Sequence, residues 1–303
     1  MSNKIEIIER FRALGEDIAS YGLALPEEAD PALVEGYRAG RAKHGRYRRA
    51  DRFVRKWIQL RRQALERGRG VSDDVTVDFL RRIDVPVCPV TVVTLTHGER
   101  ADTDWSIDRL NNNGAYAVGN LAVMSRGANS AKGARSLNEV WELSQGDSVV
   151  EGLTPREWAR LLATMYGPCI VEGQEPQWEL RQVAPAPPDT FGFPRQVFQA
   201  LLARLAEMPE PLPIFLESLP NNLLRTWTQR MLRMIRERSG ELPAVTDVWF
   251  DDELFELFKE FFKFLCDSTG NHPLKVFERR PVHRRISQHM LDEMLFKSHG
   301  YIE

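Results

Sequence analysis

Ser106-Ile-Asp-Arg-Leu-Asn-Asn-Asn-Gly-Ala-Tyr-Ala-Val-Gly-Asn-Leu-Ala-Val-Met-Ser-Arg-Gly-Ala-Asn-Ser-Ala-Lys-Gly133 changes character three times along its length. Trp105 to Leu110 predicts a short strand that carries an acid and a base, Asp108 and Arg109, near its end. Asn111 to Gly119 is a run of asparagines and glycines, residues whose side-chain hydrogen bonds and backbone freedom make loops. Leu121 to Met124 then leads into a short helix expected over about 126–132, on which Asn129 and Lys132 lie one turn apart. Upstream, Val85 to Thr96 is rich in β-branched residues and carries Pro86 and Pro89. That pattern predicts another strand with a turn or knuckle at its start. Gly98 to Asp104 forms the polar turn that would fold the two strands into a hairpin.

With Cys88-Pro-Val-Thr91 ahead of it, the ordered set of Ser106-x-Asp108-Arg109, Gly114, Tyr116, Gly119-Asn120 and Asn129-x-x-Lys132 resembles the HNH endonuclease signature. The match is to the variant in which Ser-x-Asp-Arg precedes a Gly-Tyr…Gly-Asn loop and an Asn-x-x-Lys helix. Cys88 to Thr91 resembles the knuckle that opens the first strand of that family. The likeness is confined to about residues 84–135. It implies a ββα-metal module in which Asp108 is the metal-binding acid and Asn129 stands where the family places a second ligand. It also implies that Asn120 pins the loop by bonding backbone groups, and that Lys132 reaches a phosphate or the leaving group. The implied cofactor is a divalent cation, Mg2+ first and Mn2+ as the alternative. The implied substrate is nucleic acid, DNA first.

The residue types suit that chemistry. A metal-assisted phosphodiesterase holds one hard cation with few protein oxygens and leaves positions for water and phosphate. One departure matters. The family commonly has His after the metal-binding acid, as the general base; here Arg109 stands there, and a guanidinium does not take up a proton. Arg109 is instead suited to bind the scissile phosphate. A base would come from His97, at the turn after the first strand, or from water activated by the cation alone. Loss of a dedicated base costs about 10²- to 10⁴-fold in rate. Weak cleavage and binding without cleavage are therefore both open.

Outside this segment the most unusual composition is at residues 36–70, which hold 13 Lys or Arg against Asp51 and Glu66. Phe53, Trp57, Leu60 and Ala64 repeat at helical spacing. Arg41, Arg48, Arg52, Arg55 and Arg62 recur on the opposite side and predict one amphipathic helix with a guanidinium stripe. Within a chain of net charge -2 such a patch is local, and a phosphate-facing surface formed by Arg48, Arg52, Arg55 and Arg62 is the expectation. Arg109, Arg126 and Lys132 would extend it next to the loop.

The remaining pattern is helical. Ile5, Ile8, Phe11, Leu14 and Ile18 predict a helix over 2–20, and 73–83 a shorter one. Leu153 to Tyr166 follows Thr154 as cap and Pro155 at the first position. Helices are expected at 195–208, 212–219, 221–238, 251–267 and 281–297. Asp247, Asp251, Asp252 and Glu253 read as cap and first-turn charges. Residues 184–194 are Pro-rich and mark a linker. The expected architecture is mainly α with a small α+β module: a helical region at 1–83, the HNH-like core at 84–150, a helix and linker at 151–190, and a helical domain at 191–303.

Cys88, Cys169 and Cys266 lie far apart without a CxxC pair, which speaks against a disulfide framework or structural zinc and fits a reducing cytoplasm. No apolar run approaches the roughly 20 residues of a spanning helix, so no membrane partner is expected. Two function classes remain beside the nuclease: a degenerate module that binds nucleic acid without cutting, and a component that works through a protein partner docked on the C-terminal helices, as in phage defence or a mobile element.

Overall fold

The computed structural model describes residues 2–170, 180, 181, 183, 184, 192–240, 242 and 245–277. The expected helix at 281–297 and most of the Pro-rich linker lie outside the described residues. The described residues are mainly helical with one small two-stranded antiparallel sheet, and the chain divides into two compact units. One comprises residues up to Pro86 together with Ile107–Val123; the other comprises Val87–Ser106 and the described residues from Met124 onward. No described helix is long and apolar enough to cross a membrane.

In the first unit, α1 (Ser2–Ser20) and α2 (Pro31–Lys43) lie against each other with almost no side chain between them. A Cβ at Gly15 would stand 2.1 Å from the Leu33 carbonyl oxygen, and one at Gly36 would stand 1.9 Å from that of Arg12. Only glycine permits that approach. α3 (Arg52–Glu66) completes the core, in which Val54 and Ile58 meet Leu14, Ile18 and Leu33. Asp51 caps α3 by accepting from the Val54 amide, and Thr76 caps α4 (Val77–Arg82) in the same way. α3 thus lies where the sequence expects a helix, at 50–67, but the basic stretch as a whole is two helices and a connection. Arg41 belongs to α2, Arg48 to the connection, and Arg52, Arg55 and Arg62 to α3. The single stripe fails because His44-Gly45 ends α2 and Asp51 starts a new helix.

The sheet is also displaced from its expected place. Its strands are β1 (Trp105–Arg109) and β2 (Leu121–Ser125), so the segment expected only to lead into the helix is the partner strand. Val85 to Thr96 forms two isolated bridges, Val87 with Thr94 and Thr96 with Asp104, around a tight turn. Pro86 and Pro89 remove backbone donors, and Val92 turns the chain with φ 56°, a combination that a continuous strand cannot hold. Straight after β2, Ser125 caps α5 (Arg126–Lys132) through the Ala128 amide, which places this helix where the sequence puts it.

In the second unit α6 (Leu137–Ser144), unpredicted, pairs with α7 (Pro155–Cys169), and both begin in capping boxes, Ser136 with Glu139 and Thr154 with Glu157. α8 (Phe193–Glu207), α9 (Leu212–Ser218), α10 (Asn222–Ser239) and α11 (Asp252–Ser268) pack around Phe198, Phe215, Trp249, Phe258 and Phe261, all fully buried. Asp251 caps α11 as the sequence suggests. Asp247 lies in the first turn of the 3-10 helix Val245–Phe250, as expected; it is 1% exposed and takes both Nε and Nη2 of Arg160 from α7, at 3.1 and 2.6 Å. Arg160 Nη1 donates to the Val90 carbonyl, so one buried ion pair ties the knuckle turn to α7 and the 3-10 turn at Val245–Phe250.

Candidate functional site: a clamped hairpin loop and the strand before it

Within the first unit the loop between β1 and β2 is held from inside by Asn120, which is fully buried. Its Oδ1 accepts from the Asn111 amide at 2.7 Å, and its Nδ2 donates to the carbonyls of Asn111 and Ala115 at 3.0 and 2.9 Å. Leu110 N donates to Asn120 O, which closes the hairpin, and Gly119 before it takes φ 90°, open to glycine alone among unstrained residues. Arg109 works on the same loop. Its Nη1 donates to the carbonyls of Asn112 and Gly114, and the guanidinium lies 4.8 Å from the centre of the Tyr116 ring. Tyr116 in turn bridges to Val71, exchanging backbone bonds with Gly70 and Ser72. Arg109 is therefore a loop clamp here, with Nη1 committed to protein rather than presented to a phosphate.

Asp108 lies beside Arg109 on β1 and is 9% exposed. Strand alternation puts Ser106 and Asp108 on one face of β1, with Trp105, Ile107 and Arg109 on the other.

In the second unit Asn129, on α5, donates from Nδ2 to Ser106 Oγ at 2.8 Å, which ties the helix to the start of the strand. Ser106 had only a place in the motif and no role by sequence. Its position two residues before Asp108 is the signal that finds it.

Two expected residues take other places. Lys132, expected on a phosphate, is fully buried, so its ammonium faces protein, not an incoming polyanion. His97, the candidate base, is exposed and packs edge-on against Trp105, with ring centres 6.0 Å apart. Trp105 is on the face of β1 opposite Asp108. Arg126 pairs with Asp102 at 3.0 Å in an exposed contact, worth little in water.

The turns on either side are built to stay rigid. Cys88 Sγ accepts from the amides of Thr91 and Ser125, at 3.4 and 3.2 Å. Burial pushes its thiol up, but these bonds and the neighbouring hydroxyls outweigh burial, and its pKa falls below the ordinary value. Asp104 gathers the polar turn by accepting from Thr96 Oγ1 and from the amides of Glu99 and Arg100. The Thr96 hydroxyl above all, then those amides, hold its carboxyl below the usual range.

The donor set decides which ion could be held. Asp108, Asn129 and Ser106 offer oxygen only, and among the described residues no three His, Cys, Asp or Glu side chains gather as a metal cluster. Oxygen donors of this kind are the ones that hard cations take.

Of the arginines expected at phosphate, Arg52 is paired with Asp84 and Arg62 lies 3.6 Å from Glu66. Arg48 and Arg55 are exposed. Comparison with protein-family models, with curated proteins and with solved structures yields no match.

Proposed function

We propose that the hairpin and α5 form an HNH-like ββα-metal module that hydrolyses phosphodiester bonds in nucleic acid, DNA first, with a divalent cation, Mg2+ or Mn2+. The observation that carries the reading is the bond from Asn129 to Ser106, set on the strand face that Asp108 shares. The Asn120 clamp supports the same reading, since the motif residues follow one another on a strand, a loop and a helix. In this reading Asp108 and Asn129 Oδ1 hold the cation and Ser106 orients the amide by accepting from Nδ2. The cation supplies Lewis-acid stabilisation of phosphate charge and lowers the pKa of its water. Arg109 and Asn120 act one step back, by fixing the loop.

Arg109 in place of a basic imidazole sets the expectation of slow turnover. Purified protein incubated with supercoiled plasmid and with single-stranded DNA in Mg2+, Mn2+ or Ni2+ tests this. Metal-dependent nicking that Asp108→Ala abolishes and Asn129→Ala weakens supports the proposal. Nicking that survives Asp108→Ala removes this site from consideration. Salt-sensitive binding with no nicking in any metal leaves the non-cutting module as the reading.

A further inference from the structure

The connection between α2 and α3, His44-Gly-Arg-Tyr-Arg-Arg-Ala-Asp51, is the most cationic exposed segment of the first unit. Its backbone is fixed to the end of α1, since Arg48 N donates to Ser20 O at 2.8 Å. Two arginine–tyrosine pairs stand there. The Arg41 guanidinium lies 4.9 Å from the centre of the Tyr47 ring, and Arg48 lies 4.9 Å from that of Tyr21. Tyr47 rests against Gly22, where a Cβ would come within 2.9 Å of its Cγ, and still leaves 52% of its surface exposed. A large aromatic so exposed is held in place rather than buried. A cleft of about 280 Å³ is lined by Tyr21, Arg48, Arg49 and Arg81, with Asp78 paired to Arg81.

Charge accounting singles out the same segment. Arg52, Arg61 and Arg81 are each neutralised, by Asp84, by Asp17, and by Asp51 with Asp78. Arg41, Arg46, Arg48, Arg49 and Arg55 have no carboxylate within ion-pair distance among the described residues. Uncommitted guanidinium groups alone would serve any polyanion. Aromatic rings and guanidinium planes set among them add faces on which unpaired bases stack, and a duplex does not offer its base faces.

We propose that Tyr47 and Tyr21, with Arg41, Arg46, Arg48 and Arg49, form a binding surface for single-stranded nucleic acid. This deepens the nucleic-acid reading above, but it requires no cleavage. Fluorescence anisotropy in EDTA with the full chain tests it, using labelled oligothymidylate, oligouridylate and a DNA duplex of equal length. Both single strands are expected to bind more tightly than duplex. Tyr47→Ala should weaken single-strand binding about ten-fold or more while barely changing duplex binding, and Tyr47→Phe should retain it. Arg46→Gln and Arg49→Gln should each reduce the slope of log affinity against log salt by about 0.7 on single strands.

Because EDTA removes the cation, this assay reads binding without cleavage, so that loss of cleavage and loss of this surface read out separately. If Tyr47→Ala does not fold, photocrosslinking the unaltered protein to a 5-bromouracil oligonucleotide replaces it, with crosslinks expected on the peptides that carry Tyr21 and Tyr47. Duplex bound as tightly as single strand, an unaffected Tyr47→Ala, or crosslinks confined to other peptides would each overturn the inference.

Discussion

Asn120 shows how one side chain can set the shape of a whole loop. Its amide uses three of its hydrogen-bonding positions on backbone groups, in a fully buried place. Each such bond contributes about 1 kcal/mol net, and each buried group left unpaired costs about 1–3 kcal/mol. Asn120→Ala should therefore lower stability by about 2–4 kcal/mol in urea unfolding. Asn120→Asp should be no better, because it would set a carboxylate oxygen against two carbonyls. Equal stability of all three proteins would mean that the loop holds without the clamp. Arg160 and Asp247 are the other decisive pair. Removing one member strands a buried charge, a loss of about 3–5 kcal/mol, whereas replacing both with apolar residues of similar size is close to neutral. Asp247→Ala is expected to unfold at markedly lower urea than the Arg160→Met/Asp247→Leu double variant. The reverse order would show that the ion pair is not the buried, mutually compensated contact described.

At the scale of elements, the α1–α2 contact depends on the absence of side chains. Alanine at position 36 gains about 1 kcal/mol of helix propensity but places a methyl group inside the van der Waals radius of the Arg12 carbonyl. Overpacking of this kind costs about 1–3 kcal/mol or more. Gly36→Ala should thus be net destabilising in thermal unfolding, while Ala at the open Gly45 should cost far less. The start of α3 adds a pH dependence. Burial raises the Asp51 carboxyl, but its bond from Val54 and its Arg81 partner lower it further, for a folded pKa below the usual value. A folded pKa below an unfolded one near about 3.9 gives stability that is complete above that value and is lost as pH falls through the lower, folded one. Asp51→Asn keeps a capping residue and should flatten the acid limb of a stability–pH curve; an unchanged limb would assign it to other carboxylates. These elements also show what was legible. α1, α5, α7 and α8 to α11 are readable because the 3.6-residue period and local caps such as Thr154 and Asp251 are written within a few residues. β2 is not, since Leu121–Ser125 is too short to show alternation, and the β-branched run before it is broken by Pro86, Pro89 and Val92. The glycine contact and the Arg160–Asp247 pair join residues far apart in sequence, where no spacing rule applies. In the candidate site, the motif located Asp108, Asn120 and Asn129, but neither the burial of Lys132 nor the turning of Arg109 onto its own loop.

Across the whole molecule, neither compact unit is a continuous piece of chain. The first takes in Ile107–Val123 from the middle of the sequence, and the loop carried by that segment pairs with Val71 through Tyr116. Loosening the loop should therefore be felt at residues distant in sequence but within the same unit. Hydrogen exchange offers the resolution needed, because the Ser72 amide donates to the Tyr116 carbonyl at 2.9 Å and the Tyr116 amide to Gly70 at 3.0 Å. Local opening releases such amides at a rate set by the free energy of the cooperative unit that holds them. In Asn120→Ala, the amides of Asn111, Tyr116 and Ser72 are expected to exchange faster together, by ten-fold or more. Those of α10 and α11, in the second unit, should keep the rates they have in the unaltered protein. Ser72 unchanged while Asn111 accelerates would mean that the loop opens without its bridge to Val71. Acceleration of α10 and α11 by the same factor would mean that the two units unfold as one, and that a loop clamped by a single asparagine contributes to the stability of the entire chain.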